Sequence, residues 1–422
     1  MRRLDPVRAY LLLELALSAA FAISFTVSAV YFVETVGMNP LELVLVGTAM
    51  EAAVFLFEIP TGVVADTYGR KRSLLTGWLV MGAGLVLAGS VPAVWAVLAG
   101  WAVWGLGWTF TSGAYEAWIT DEVGADRIGP VFARGSRAGD AGALLGIALS
   151  VAIAASTSTA TAVVTGGVAV AVVGVAGYLA MPETGWRRRE DGTSPTVAEL
   201  RRTAGDGARL VRAQPLLLLI LAITFFAGMS TEAFDRLWQA HLLQLGLPEL
   251  GSLDPIYWFG IVEAATLGLG MLAASVLVRR LQSVTRAGLA RTLLVVTAVQ
   301  LAAAVLFGLA GAFAVALVGL LLYRLTRSVV QPVYSTWLNR SIPDSSVRAT
   351  VLSITSQADA IGQTAGGPAL GAVGTVFSIR AALVAGAAVL APALGLYGRA
   401  LRHHGREPEL EALDAATVDR VV

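Results

Sequence analysis

Carboxylic acids stand inside stretches that are otherwise apolar, among them Glu51, Glu58, Asp140, Glu232, Glu263 and Asp359. Two arginines, Arg324 and Arg327, lie just as deep in LLLYRLTRSVVQPVYSTW. If these stretches cross a bilayer, each charge costs at least about 2.5 to 3.5 kcal/mol on insertion scales and has to face protein or water. A carboxyl in such a place can be loaded and unloaded by a proton gradient. A guanidinium there can neutralise a carboxylate or hold an anion. The same groups can equally act as fixed locks between helices.

Other chemistry is poorly represented. Cysteine is absent, and the three histidines, His241, His403 and His404, lack metal-ligand spacing. There is no nucleophile with base and orienting acid, and no GxxxxGK[ST] phosphate loop. The expectation is a non-enzyme with no cofactor, no metal and no nucleic-acid partner.

The elements that must hold the charges are apolar runs. Hydrophobic residues make up 56% of the 422 and charged residues 14%, against about 45–50% and about 25% in soluble domains. Mean hydropathy is +0.72. Runs long enough to span a bilayer fall near 9–36, 41–65, 73–91, 93–120, 129–154 and 158–181, then near 215–240, 254–278, 288–310, 312–338, 348–374 and 381–399. The N-terminal run continues far past a signal peptide's apolar core and is read as the first span. Alternate gaps, beginning with 36–41, contain only Arg380 among the basic residues, while the other gaps and the ends hold nearly all the rest. By the positive-inside rule both termini are cytoplasmic.

The fold class is therefore an all-α membrane protein of twelve transmembrane helices. Its expected parts are a six-helix half over 1–181, a cytoplasmic linker over 182–214, a second six-helix half over 215–399 and a tail over 400–422. A basic helix over about Pro195 to Arg212 is expected in the linker, lying on the membrane surface or solvated.

The halves repeat. YEAWITD (115–121) aligns with YSTWLNR (334–340), and SRAGDAGALLG (136–146) with SQADAIGQTAG (356–366), so that Gly142 and Gly146 recur as Gly362 and Gly366. EAA at 51–53 matches EAA at 263–265, which makes Glu51 and Glu263 counterparts. Two similarly oriented halves with a ligand site between them is a common plan for secondary transport. On span 4, Trp101, Trp104, Trp108 and Tyr115 share one helical face, and the repeat places Leu320, Tyr323, Arg327 and Tyr334 on the same face of span 10. Such a stripe suits a large apolar ligand that stacks on rings, and it serves helix packing or lipid contact as well. On span 7, Glu232 and Arg236 stand at i,i+4 and can pair locally. Asp140 and Asp359 sit among small residues at nearly matching places, where interhelical hydrogen bonding competes with substrate contact.

GVVADTYGRKR (62–72) resembles GxxxDxxGR[KR], the loop 2–3 signature of the major facilitator superfamily, and fills it with Gly62, Asp66, Gly69, Arg70, Lys71 and Arg72. FEIPTGVVADTYGRKRS, the PET at 182–184 and GxxxGGPALG at 362–371 resemble twelve-span bacterial drug/proton antiporters. Two features depart from that group: span 4 has no arginine, and span 5 has GALLG where Gly-Pro is usual.

The resemblance implies that Asp66 latches the two halves by meeting the start of span 11, that Glu58 braces the same gate, and that spans 1, 4, 7 and 10 line a central cavity. There Arg324 and Arg327 would neutralise Glu51, Glu232 or Glu263. It implies a monomeric, multi-pass transporter of the bacterial inner (plasma) membrane. The expected activity is proton-coupled efflux of amphipathic or aromatic small molecules by alternating access, with protons, the substrate and the lipid bilayer as partners. The alternatives are a proton symporter importing an anionic or polar nutrient, and a non-transporting receptor or lipid-handling protein.

Overall fold

Helix starts are set by residues in the polar gaps. Asn39 accepts from the Glu42 amide (3.1 Å) while Glu42 accepts from the Asn39 amide (2.8 Å), with Pro40 at the first helical position. Asp5 caps the Arg8 amide ahead of Pro6, and Ser158 and Thr285 cap two further helices.

The computed structural model describes residues 4–185, 209, 214–281, 284–342 and 348–418. Apart from Arg209, the linker helix expected over Pro195 to Arg212 lies outside these residues. Among the described residues there is no strand. The first half contains α1 (Pro6–Glu34), α2 (Pro40–Tyr68), α3 (Arg70–Ser90), α4 (Val94–Thr111), α5 (Ala114–Val123), α6 (Ile128–Ser156) and α7 (Thr159–Ala180). There follow α8 (Pro215–Leu245), α9 (Tyr257–Leu281), α10 (Arg286–Leu309), α11 (Phe313–Ser341), α12 (Arg348–Val376) and α13 (Ile379–Val418).

Among the described residues, eleven stretches, with α4 and α5 taken together, are long and apolar enough to cross a membrane. α12 has the same 29-residue length as α11 but is not among them. Its sequence carries Ser353, Thr355, Ser356, Gln357, Asp359, Gln363 and Thr364, so its place depends on packing against other helices.

The span expected over 93–120 is two helices. Gly113 adopts φ +68°, a left-handed conformation that glycine takes without a Cβ penalty, and the α-helix stops at Thr111. The carbonyls freed by the break find donors: Thr61 Oγ1 reaches Thr109 O (3.0 Å) and Ser73 Oγ reaches Phe110 O (2.6 Å). Tyr115 therefore stands on α5, off the tryptophan stripe of α4. That corrects the single face expected from periodicity, which assumed an unbroken helix.

By contacts the chain forms two compact units, Met1–Ser194 with Arg236–Leu267, and Pro195–Asp235 with Gly268–Val422. The unit boundary runs through α8 and again through α9. In the first unit α1 packs on α6 and α7, and α3 on α4 and α7; in the second, α10 packs on α11 and α13. Leu74, Trp78, Trp118 and Leu85 are at the core of the first, and Leu217, Leu293 and Trp337 at that of the second.

The repeat seen in sequence is a repeat of helix crossings. Gly142 and Gly146 on α6 lie against the Leu15 and Ala19 carbonyls of α1, too close for a Cβ. Gly362 and Gly366 on α12 lie in the same way against Phe225 and Met229 of α8. Small residues four apart let helix backbones approach this closely.

Candidate functional site

In the second unit, α8 and α11 are joined by two adjacent contacts. The Phe234 ring stacks on Tyr323, and Asp235 forms an ion pair with Arg327. Arg327 falls near the middle of a 29-residue helix, yet its side chain is 44% accessible and that of Asp235 38%. Both side chains are therefore partly accessible, and the pair stands where a change of charge nearby can act on it.

Behind Arg327 is a cavity of about 140 Å³ lined from α8, α10, α11, α12 and α13. Arg327 and Asp359 both line it, with Gln300, Gln331 and Gln363. Gln363 Nε2 donates to Asp359 Oδ2 at 2.8 Å. Asp359 fits because α8 offers Gly228, where a Cβ would stand 2.7 Å from Asp359 Oδ1. Nearby, the Tyr334 hydroxyl bonds Thr224 Oγ1 at 2.5 Å.

The first unit presents rings at the corresponding place. Phe25 of α1 stacks on Trp101 (centroids 5.4 Å) and meets Trp104 edge-on (5.7 Å). Trp104 stacks in turn on Trp108 (5.6 Å), which is 43% exposed. Phe21 and Phe32 extend the row. The Arg236 guanidinium lies 5.7 Å from the Trp101 ring, a cation–π geometry. Offset pairs of this kind are worth about 0.5–1.5 kcal/mol each beyond burial, so the rings support one another, with Trp108 as the accessible end of the row.

At the α2–α3 turn, Gly69 adopts φ +101°. Glu183 follows α7 and accepts from the Lys71 amide (2.9 Å), placing a carboxylate at the N-terminus of α3, where the helix dipole favours it. Lys71 Nζ donates to Met181 O (2.8 Å), Trp118 Nε1 to Pro182 O (2.7 Å), and Arg70 pairs with Asp121 (3.3 Å). Glu122 accepts from the Thr184 and Gly185 amides (2.5 and 2.7 Å). The PET segment is thus the knot that ties the ends of α3, α5 and α7.

The sequence matches the Major Facilitator Superfamily over residues 11–354. The chain belongs to that superfamily. It is 22% identical over 364 residues to the uncharacterized MFS-type transporter YxaM of Bacillus subtilis (strain 168), covering 85% of this chain and 86% of that one. Among solved structures it resembles the nucleoside transporter NupG (TM-score 0.78, 12% identity, 94% of this chain and 100% of that one). It also resembles the peptide transporter POT (TM-score 0.74, 14% identity, 95% and 94%). At these identities the structures show the fold.

Within this major facilitator transporter the predicted residues separate into groups. Trp101, Trp104 and Trp108 come together, as do Tyr323, Arg327 and Asp359 in the second unit. Arg324 stands one turn from Arg327 and acts electrostatically on Tyr323. Glu51 is half-buried beside the Met50–Gly105 crossing of α2 and α4, and Glu263 is half-buried on α9. Glu232 is 4% exposed on α8. Asp140 is half-buried on α6, one position beyond Gly139, the counterpart of Asp359. Glu58 accepts from the Ser112 hydroxyl (3.1 Å) and so supports the α4–α5 break. Tyr115 packs against Tyr10, Trp78 and Trp118. The Asp66 side chain lies outside the described residues.

Two acids carry more than the sequence reading gave them. Arg327 was expected to neutralise Glu51, Glu232 or Glu263, and its ion-pair partner is Asp235. Asp235 stands 10 residues before the end of α8 at Leu245 and Arg327 14 residues after the start of α11 at Phe313, and this similar depth is the signal that would have found the pair. Glu14 on α1 went unnoticed. It accepts a hydrogen bond from Tyr10 and faces Gly139 of α6, and it was visible as the one acid in the run AYLLLELALSAAF.

Proposed function

We propose that this transporter is a proton-coupled exporter of amphipathic or aromatic small molecules, acting as a monomer in a bacterial plasma membrane. The observation that carries the substrate class is the row Phe25–Trp101–Trp104–Trp108, ending in an exposed indole. Coupling to protons is supported by carboxyls at membrane depth, Glu232 and Asp359 among them, and by Arg327, whose ion pair with Asp235 stands at the cavity that Asp359 lines. The Lys and Arg bias of the loops supports cytoplasmic termini. A nutrient symporter gripping an anion through Arg327 is less well supported, because Asp235 already engages that guanidinium.

The halves would rock about the ligand, with protonation favouring one orientation and release the other. Asp66 would then latch them at the GVVADTYGRKR turn. The test is reconstitution in liposomes with an imposed pH gradient, following ethidium and an anionic metabolite together with lumenal pH. Ethidium accumulation that responds to the gradient is the expected result. Accumulation of the anion alone, or indifference to pH in both cases, would overturn the reading.

A further inference from the structure

The cavity in the second unit holds groups that stacking of a ligand does not use. Its lining is mixed: beside Ile223, Ala227, Val330, Leu390 and Ala393 it presents polar groups from Ser230 and Thr231 of α8, Thr297 and Gln300 of α10, Gln363 of α12 and Tyr397 of α13. Ser230, Thr297, Gln300 and Tyr397 are buried. At about 140 Å³ it has room for several waters, each of which needs two to four polar partners, and the lining supplies them. Arg327 is bonded to Asp235, whereas the donor to Asp359 is the neutral amide of Gln363. Arg327 nevertheless acts electrostatically on both acids. The two carboxylates thus share the field of the Arg327 guanidinium, so that charging Asp359 competes with Asp235 for it.

We infer that this chamber is the transporter's proton-loading site, with Asp359 as the acceptor, reached through water inside the second half and separate from the aromatic row. The inference rests on the proton-coupled reading above. A hydronium in the chamber gives its proton to a carboxylate oxygen of Asp359, forming the O–H bond and leaving water. While Asp359 is neutral, Arg327 stays with Asp235. Loss of the proton restores the second carboxylate and draws Arg327 toward it, loosening the tie between α8 and α11. The charged and titratable groups around Asp359 are Asp235 from α8, Tyr323, Arg324, Arg327 and Tyr334 from α11, and Tyr397 from α13; α10 presents Thr297 and Gln300. Asp359 is the acid among them held by a neutral donor within the chamber.

The experiment uses the full chain in liposomes with pyranine inside and ethidium as substrate. It compares pH-driven accumulation with counterflow, the exchange of ethidium against preloaded ethidium that needs no proton. Asp359→Asn should keep counterflow and lower pH-driven accumulation by about tenfold or more, since an ion that cannot bind cannot bias either orientation. Asp359→Glu should restore part of it. Thr297→Val with Gln300→Leu, which dries the chamber and keeps Asp359, should slow the pyranine response while sparing counterflow. Full pH-driven accumulation in Asp359→Asn would overturn the assignment. So would loss of counterflow in a variant that remains monodisperse, because Asp359 would then belong to the ligand path. If the unsubstituted protein ignores the pH gradient, the broader reading fails with it, and that result is distinct from the other two.

Discussion

The two halves share their helix crossings and differ in what stands on them. Gly142 and Gly146 meet α1 as Gly362 and Gly366 meet α8. At the adjoining position, the first half puts Gly139 against Ser18 and Glu14, so the acid comes from α1. The second puts Gly228 against Asp359, so the acid comes from α12. Where the first half stacks Phe25 on Trp101 and Trp104, the second pairs Asp235 with Arg327 below a Phe234–Tyr323 stack. The glycine that breaks the fourth span at Gly113 is matched by Pro332 in the unbroken α11. Duplication has kept the backbone register, which close packing enforces, and has released the side chains facing away from it. One half became aromatic and the other ionic.

The shared register should be the hardest feature to alter. Gly146→Leu and Gly366→Leu push a side chain into a helix backbone and should each cost about 3 kcal/mol or more, seen as loss of monodisperse protein on size exclusion. Tolerance of one and not the other would end the claim that the crossings are equivalent. Next comes the ionic half. Asp235→Asn strands a guanidinium at membrane depth, a cost of about 2.5 to 3.5 kcal/mol before water relieves it. Adding Arg327→Gln should recover most of the lost thermal stability. No recovery would mean that the pair is held for other reasons.

At Gly113, alanine in the left-handed region should cost roughly 1–2 kcal/mol, and Pro332→Ala should not destabilise α11, both read from melting in detergent. The smallest effect is expected in the aromatic half. Trp108→Ala should weaken ethidium binding by about 0.5–1.5 kcal/mol, measured by fluorescence titration, and Arg327→Gln should leave that affinity unchanged. An equal loss in both would dissolve the division of labour.

Much of this was legible in the chain. Span positions, the duplication, the tryptophan stripe and the loop signature all depend on hydropathy, periodicity or short motifs, which are local. The α4–α5 break was not legible, because Ser112-Gly113 in an apolar run looks like any small-residue helix contact. What commits the glycine to a left-handed turn is the supply of donors from Thr61 and Ser73, far away in sequence. The Asp235–Arg327 pair was missed for a related reason: Glu232, one turn earlier, had the attractive i,i+4 spacing to Arg236, whereas the partner of Asp235 stands on another helix 92 residues away. PET was noticed only as a resemblance, and its physical task as the cap of α3 appeared once Glu183 was seen at the Lys71 amide.

The polarity of α12 bears on how the protein is made. A segment with Asp359, Gln357, Gln363 and a run of hydroxyls partitions poorly into lipid as it leaves the ribosome. Its glycines have nothing to dock against until α8, synthesised more than a hundred residues earlier, is already in the bilayer. Biogenesis of the second half therefore has a required order, in which α12 enters by joining a waiting neighbour. A nascent chain halted before that meeting would hold α12 at the membrane surface.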